Sequence, residues 1–155
     1  MIIDEVKGNA VSMYLREEGH LIHGCNCFNN MGAGIAKEVK RRIPDAYVVD
    51  CMTTKGSKDK LGNCSILHRK TNFVFNAYMQ YDFRGTKANV DYTAIGNAFR
   101  YAVAYCKKHG STLPIITPLI GAGLAGGDWK KIRAIIEAVT DDYPIIVVHF
   151  DPQAE

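Results

Sequence analysis

Apolar residues are distributed along the chain in short continuous runs that alternate with longer stretches of helical spacing. The short runs predict buried strands over residues 1–6, 20–27, 63–69, 72–79, 113–120 and 144–150. The helical spacing predicts helices over residues 34–42, 90–109 and 129–139, the first of them stopped near Pro44. Strands that alternate with helices predict an α/β fold with a largely parallel sheet that is covered on both faces.

Two glycine-rich segments directly follow predicted strands, MGAGIA at residues 31–36 and IGAGLAGGDW at residues 120–129. Both should therefore lie at the carboxyl edge of the sheet, where α/β folds bind ligands. Glycine lets a backbone approach a ligand closely, and the start of a helix offers unpaired N–H groups to an anion. The first segment matches neither the P-loop nor the dinucleotide-binding template, so an ordinary turn explains it about as well.

The second segment strengthens the anion-binding interpretation. It holds four glycines, at positions 121, 123, 126 and 127, which is more than one tight turn needs. Together the two segments predict a clamp for a diphosphate that is built from backbone N–H groups. Asp128 follows at once and has two interpretations, a cap for the next helix or a carboxylate facing the ligand.

His23, Cys25 and Cys27 could converge on one face of a strand as metal ligands. Structural zinc usually needs four ligands, and no second pair with suitable spacing follows. Free cysteines are also common as small core residues, so we favour the core interpretation and expect neither a metal nor a cofactor.

Composition narrows the class of protein. The chain has 155 residues, 47% of them apolar, which suits one domain over residues 1–155. A net charge of +3 suits an anionic ligand but is too small for a typical nucleic-acid-binding surface. Five scattered cysteines, no secretion signal and no apolar run of membrane-spanning length indicate a reducing, cytoplasmic setting without membrane partners.

Four motifs, in this order, resemble the macro domain family, which binds ADP-ribose: VKGN (6–9), NC…MGAGIA (26–36), NAYMQ (76–80) and PLIGAGLAGGDW (118–129). The resemblance covers nearly the whole chain. It implies a three-layer α/β/α domain with a mixed, largely parallel central sheet. The most similar branch resembles ADP-ribose-1''-phosphate phosphatase and terminal ADP-ribose glycohydrolase.

The resemblance also implies where the ligand binds. Asn9 stands where the family usually has an aspartate that accepts from the adenine amino group, and Phe150 matches an aromatic position beside adenine, although it could be an ordinary strand end. The first glycine segment would hold the distal ribose and the second the diphosphate. The implied ligand-binding residues are Asn9, Gly32, Ala33, Gly34, Ile35, Gly121, Ala122, Gly123, Leu124, Ala125 and Phe150.

For the chemistry, the resemblance implies hydrolysis of ADP-ribose-1''-phosphate to ADP-ribose and phosphate. Asp128 would orient or deprotonate a water, and His23 would hydrogen-bond the terminal phosphate or protonate the leaving oxygen. Asn26 would position the distal ribose. His23 and Asn26 are three residues apart, so both can reach one ligand only if the strand ends or bends near Cys25.

Glycohydrolase chemistry fits less well, because residues 78–85 lack the branch's lysine and Ala125 replaces its acid. Two alternatives remain open. The chain could remove ADP-ribose from acidic protein side chains or nucleic-acid ends, or it could be a non-catalytic ADP-ribose reader. The implied partners are ADP-ribose or ADP-ribose-1''-phosphate, and an ADP-ribosylated protein or nucleic acid.

Overall fold

The computed structural model describes residues 1–84, 90–123 and 125–155. The strands are β1 (Ile2–Gly8), β2 (His20–Asn26), β3 (Cys64–His68), β4 (Phe73–Gln80), β5 (Ile115–Thr117) and β6 (Ile145–Phe150). The helices are α1 (Ala10–Leu15), α2 (Gly34–Arg42), α3 (Pro44–Cys51), α4 (Tyr92–Lys108) and α5 (Trp129–Val139), with a 3₁₀ turn at Lys58–Lys60.

The six strands form one sheet in the order β1-β6-β5-β2-β4-β3. All neighbouring pairs are parallel except β3 and β4, which form an antiparallel hairpin. Helices α4 and α5 pack on one face through an apolar cluster that includes Phe99 and Ile132. Helices α1, α2 and α3 cover the other face through Val11, Val39 and Ala46. This arrangement confirms the predicted three-layer α/β/α fold with a mixed, largely parallel sheet.

Two helices were not expected from the sequence. Helix α1 is six residues long and almost wholly apolar, AVSMYL, so it has no amphipathic spacing to reveal it. Pro44 was interpreted as a stop signal, but it occupies the first turn of α3, where the missing N–H of proline costs nothing. Strand β5 is also shorter than predicted, because the chain leaves the sheet at Pro118.

The parallel topology brings the ends of β2, β4, β5 and β6 to one edge of the sheet. Each of these ends is followed by an irregular segment, and the start of α1 lies beside them after β1. In the described part of the chain, no helix is both long and apolar enough to cross a bilayer.

Candidate functional site

A cavity of about 650 Å³ opens at the carboxyl edge of the sheet. This volume lies within the usual range for sites that bind small molecules. The lining residues are Asn9, Ala10, Val11, Gly24, Asn26, Asn30, Ala33, Gly34, Ile35, Ala36, Glu38, Met79, Gln80, Phe83, Pro118, Leu119, Ile120, Gly121, Gly123, Ala125, Val148 and Phe150. Both glycine segments therefore reach the same cavity, as their positions after strands predicted.

The N-terminus of α2 opens into this cavity without a side-chain cap. Ala33 occupies the cap position with φ −149° and ψ 160°, and no side chain accepts from the first turn. By contrast, the side chains of Asn9, Asp91 and Asp128 cap α1, α4 and α5, and α3 begins with proline. The uncapped N–H groups and the positive end of the helix dipole make this end of α2 an anion-binding position.

The segment between β5 and α5 forms a compact turn opposite α2. Gly121 has φ +74°, and its carbonyl accepts from the N–H of Gly127 at 2.8 Å. A Cβ atom on Gly127 would lie 2.6 Å from that carbonyl oxygen, so glycine is required there. Gly123 has open space where a Cβ would stand, and it lines the cavity with Gly121 and Ala125. Some of the glycines therefore shape the turn, while others border the ligand space.

Asn9 and Phe150 lie at the β1 end of the cavity. Strands β1 and β6 are paired so that Gly8 stands opposite Phe150, and Asn9 directly follows Gly8. Phe150 is 72% exposed, although phenylalanine is normally buried, and its ring is available to a planar ligand. Asn9 Oδ1 accepts from the Ser12 N–H at 3.0 Å, so the side chain that would face a base also caps α1.

The opposite end of the cavity, away from Asn9 and Phe150, lies beyond the ends of β2 and β4. Asn26 is almost buried, and its amide is occupied by the following loop: Oδ1 accepts from the N–H groups of Phe28 and Asn30, and Nδ2 donates to the Asn30 carbonyl. Asn30, Gln80 and Phe83 also border this end. From the sequence, Asn30 has no indicated role, whereas Gln80 and Phe83, in a polar-aromatic stretch after a strand, could line the distal end of the cleft or form an ordinary surface loop.

A buried lysine supports this loop from behind. Lys60 Nζ donates to the Cys27 carbonyl at 3.1 Å and to Asn29 Oδ1 at 2.7 Å. It also lies 4.6 Å from the centre of the Tyr78 ring, whose hydroxyl donates to Asp50 Oδ1 at 2.6 Å. These contacts satisfy the buried polar groups and hold the loop between β2 and α2 against the sheet.

His23 does not line the cavity. It is fully buried, and its Nε2 lies 2.6 Å from Asn76 Oδ1 on the neighbouring strand. The Asn76 Nδ2 group donates to the Ala46 carbonyl and to Ser65 Oγ, so Oδ1 accepts from His23 and the proton is on Nε2. Burial lowers the pKa of His23 to about 4, which keeps the ring neutral at physiological pH.

Strand geometry explains where His23 lies. Side chains alternate along β2, and His23 points with Leu21 toward the layer of α1, α2 and α3. The β2–β4 register shifts between Cys25 and Asn26, which is the predicted position of a bend. After this bulge the Asn26 side chain reaches the cavity lining, whereas His23, three residues earlier, stays in the core.

Asp128 is an exposed helix cap. Its Oδ1 accepts from the Lys130 N–H at 3.0 Å, and its own N–H donates to the Tyr92 hydroxyl at 3.0 Å. This confirms the capping interpretation, and Asp128 lies outside the cavity lining, as do Gly32 and Ala122. Leu124, also predicted to bind the ligand, is outside the described residues.

Cys25 and Cys27 pack in an apolar cluster with Met31, Ala36 and Tyr78. Burial raises the pKa of both thiols, which keeps them protonated in this apolar cluster. Within residues 1–84, 90–123 and 125–155, no three histidine, cysteine or acidic side chains are gathered closely enough to hold a metal ion. The core interpretation of these cysteines therefore agrees with their packing.

Among proteins of similar sequence, two match the chain along nearly its whole length. An uncharacterized 17.5 kDa protein in the tk-vs intergenic region of Enterobacteria phage T4 is 29% identical over 98% of this chain and 99% of its own. The ADP-ribose 1''-phosphate phosphatase of Saccharomyces cerevisiae is 27% identical over 94% of this chain and 97% of its own.

Solved structures share the fold. The macrodomain of Thermus aquaticus DarG superimposes with a TM-score of 0.74 at 20% identity, covering 98% of this chain and 99% of that one. Thermosipho africanus DarTG, solved in complex with ADP-ribose, gives a TM-score of 0.71 at 19% identity over 92% of this chain and 40% of its own. The macro domain family model matches residues 22–136, well over half of the sequence. The chain therefore belongs to the macro domain family.

Proposed function

We propose that the chain binds ADP-ribose in the cavity at the carboxyl edge of the sheet. The observation that carries this proposal is the uncapped N-terminus of α2, which faces the cavity opposite the turn around Gly121 and Gly123. Backbone N–H groups at such a helix end stabilise a diphosphate without basic side chains.

The strand order suggests how the ligand lies. The diphosphate would occupy the centre, between the ends of β2 and β5. The adenine would lie over the exposed ring of Phe150 beside β1, and the distal ribose would reach the ends of β2 and β4 near Asn30 and Gln80. Membership of the macro domain family and the similarity to a DarTG structure that holds ADP-ribose support this choice of ligand.

Calorimetric titration with ADP-ribose tests the proposal. Gly123→Glu places a carboxylate in the open space beside the diphosphate position, so we expect it to abolish measurable binding. Ala104→Glu adds the same charge on an exposed position of α4 and should bind like the wild type. Failure of the wild type to bind, or equal binding by both variants, would overturn the proposal.

A second candidate is hydrolysis of ADP-ribose-1''-phosphate, which the similarity to the yeast phosphatase favours. The terminal phosphate would lie near Asn30, whose side-chain amide can donate a hydrogen bond to it. We assign no catalytic role to His23, which is buried, or to Asp128, which caps a helix outside the cavity lining.

Phosphate release from ADP-ribose-1''-phosphate in the presence of EDTA tests this activity. Turnover that is lost in Gly123→Glu but kept in Ala104→Glu would support hydrolysis in the cavity. Tight binding of ADP-ribose with no phosphate release at high protein concentration would reject the phosphatase and favour a reader of ADP-ribose.

A further inference from the structure

Glu38 is the one titratable side chain among the described residues that line the cavity. It lies on α2, one turn beyond the uncapped N-terminus. Arg42, four residues later and thus on the same helix face, donates from Nη1 to Ser12 Oγ of α1 at 2.9 Å. The Glu38 face of α2 is therefore turned toward α1 and the Asn9 end of the cavity.

Position and charge together limit what Glu38 can bind. The N-terminus of α2 marks the anion position at the centre, and Phe150 marks the base position at the β1 end. Glu38 lines the cavity one helical turn from the anion position, on the face of α2 that Arg42 packs against α1, and a carboxylate there would repel a phosphate group. The ligand group that joins the diphosphate to the base is a ribose, whose hydroxyls are hydrogen-bond donors.

The carboxylate is held ready to accept hydrogen bonds. Arg41 Nη2 lies 2.8 Å from Glu38 Oε2, and Arg41 Nε lies 3.3 Å from Oε1. The hydrogen bond from Arg41 lowers the pKa of Glu38, so the group is ionised at neutral pH and acts only as an acceptor. Each oxygen keeps a lone pair for a further donor.

We propose that Glu38 accepts hydrogen bonds from the 2' and 3' hydroxyls of the ribose that carries the base, and that it thereby determines specificity against 2'-phosphorylated analogues. The inference rests on the proposed binding of ADP-ribose. A carboxylate serves the same purpose in dinucleotide sites, where it binds the ribose 2'-hydroxyl and disfavours a 2'-phosphate. We expect Glu38 to affect ligand affinity and not a chemical step, because it lies away from the distal ribose.

Calorimetry with two ligands, ADP-ribose and ADP-ribose 2'-phosphate, tests this role. The wild type should prefer ADP-ribose by about tenfold, because a 2'-phosphate brings nearly two negative charges against the carboxylate. Glu38→Gln should weaken ADP-ribose binding about fivefold through the loss of a charged acceptor. The same variant should strengthen binding of the 2'-phosphate, because it removes the repulsion and frees Arg41.

Opposite changes for the two ligands separate a hydrogen bond from a general charge effect, which would strengthen binding of both. Glu18→Gln is the matched control: Glu18 also pairs with an arginine, has 43% side-chain exposure against 45% for Glu38, and lies outside the cavity lining. It should leave both affinities unchanged.

A third ligand, 2'-deoxy ADP-ribose, identifies the contacted hydroxyl. It should bind the wild type more weakly than ADP-ribose does, and Glu38→Gln should bind both equally, since the contact is already lost. An unchanged preference among the three ligands in Glu38→Gln would overturn this inference while the proposed function stands. No binding of ADP-ribose by the wild type would overturn both.

Discussion

The side chain of Asn26 is hydrogen-bonded to both backbone groups of Asn30, in the loop that follows β2. Its Nδ2 donates to the Asn30 carbonyl at 2.8 Å, while its Oδ1 accepts from the Asn30 N–H at 3.4 Å. Asn30 Oδ1 in turn accepts from the Gly32 N–H at 3.0 Å, just before α2 begins. Asn26 therefore holds the loop in shape, and the loop in turn leads into the anion-binding end of the helix.

Replacing Asn26 with alanine should lower stability and ligand affinity together. We expect the free energy of unfolding to fall by about 1–3 kcal/mol, because hydrogen-bonded backbone groups lose a buried partner. ADP-ribose affinity should fall because the approach to α2 loosens. Urea unfolding and calorimetry measure the two effects. Asn63→Ala, which removes a side-chain hydrogen bond to a backbone carbonyl in an exposed loop, is the control. Lower stability with unchanged affinity would contradict the role assigned to the loop.

Ala33→Asp should stabilise the fold while it weakens binding. The backbone of Ala33 is already extended, as a capping residue requires, so an aspartate there can cap α2 and add about 1 kcal/mol. The same carboxylate would occupy the anion position and reduce ADP-ribose affinity by about tenfold or more. Thermal melting measures the expected rise in stability, and calorimetry measures the expected fall in ADP-ribose affinity. Asp91→Ala, which removes the cap of α4, should show the opposite pair of results, lower stability with normal binding. Tighter binding by Ala33→Asp would exclude an anion at α2.

Phe150→Ala should reduce ligand affinity with little effect on folding. Phe150 is 72% exposed, so removal of its ring should change stability by less than about 0.5 kcal/mol. Stacking of a base on an aromatic ring contributes about 1–3 kcal/mol, which corresponds to a loss of about tenfold or more in affinity. Tyr101→Ala, at an exposed aromatic residue of α4 with 43% exposure, is the control for calorimetry. Equal affinities for the two variants would show that Phe150 does not contact the base.

The fold should become less stable as the pH falls from 6.5 toward 4. His20 and His23 are fully buried, and burial lowers the pKa of each to about 4. In the unfolded chain both titrate near 6.5, so between these values only the unfolded state binds the protons. Their stabilising effect is complete above pH 6.5, is lost as the pH falls, and does not decrease further below pH 4.

At pH 5 the free energy of unfolding should be lower than at neutral pH by about 2 kcal/mol for each of the two histidines. Urea unfolding at pH 7.5 and pH 5 measures the difference. His23→Gln should show a smaller difference between the two pH values than the wild type, because one titrating group is gone. A free energy of unfolding that is equal at both pH values would contradict the buried, neutral state of these rings.

The sequence predicted the layers of the fold because its buried strands are short continuous apolar runs and its long helices have clear apolar spacing. Residues 90–109 and 129–139 correspond to α4 and α5, and the two glycine segments meet at one cavity. Helix α1 was missed because its six residues are almost all apolar and have no polar face to set a period. Helix α3 was missed because Pro44 suits both the end of one helix and the first turn of the next.

Most of the predicted ligand residues lie in the cavity lining, since backbone segments after parallel strands must meet at one edge. Those in the lining are Asn9, Asn26, Ala33, Gly34, Ile35, Gly121, Gly123, Ala125 and Phe150. The location of His23 could not be predicted, because alternation along a strand does not say which face a helix layer covers. Glu38 was missed because its spacing matches an ordinary solvated helix face, and only the packing of Arg42 against α1 shows where it points.

The order of the strands also sets the length of molecule that can use the whole cavity. From Asn9, which follows β1, to Gln80, which ends β4, the sheet crosses four inter-strand steps, or about 19 Å at roughly 4.8 Å per step. A mononucleotide can contact one end or the other but not both. Adenosine monophosphate and ribose 5-phosphate should therefore bind weakly as separate fragments, and the pyrophosphate bond that joins them should raise affinity through effective concentration.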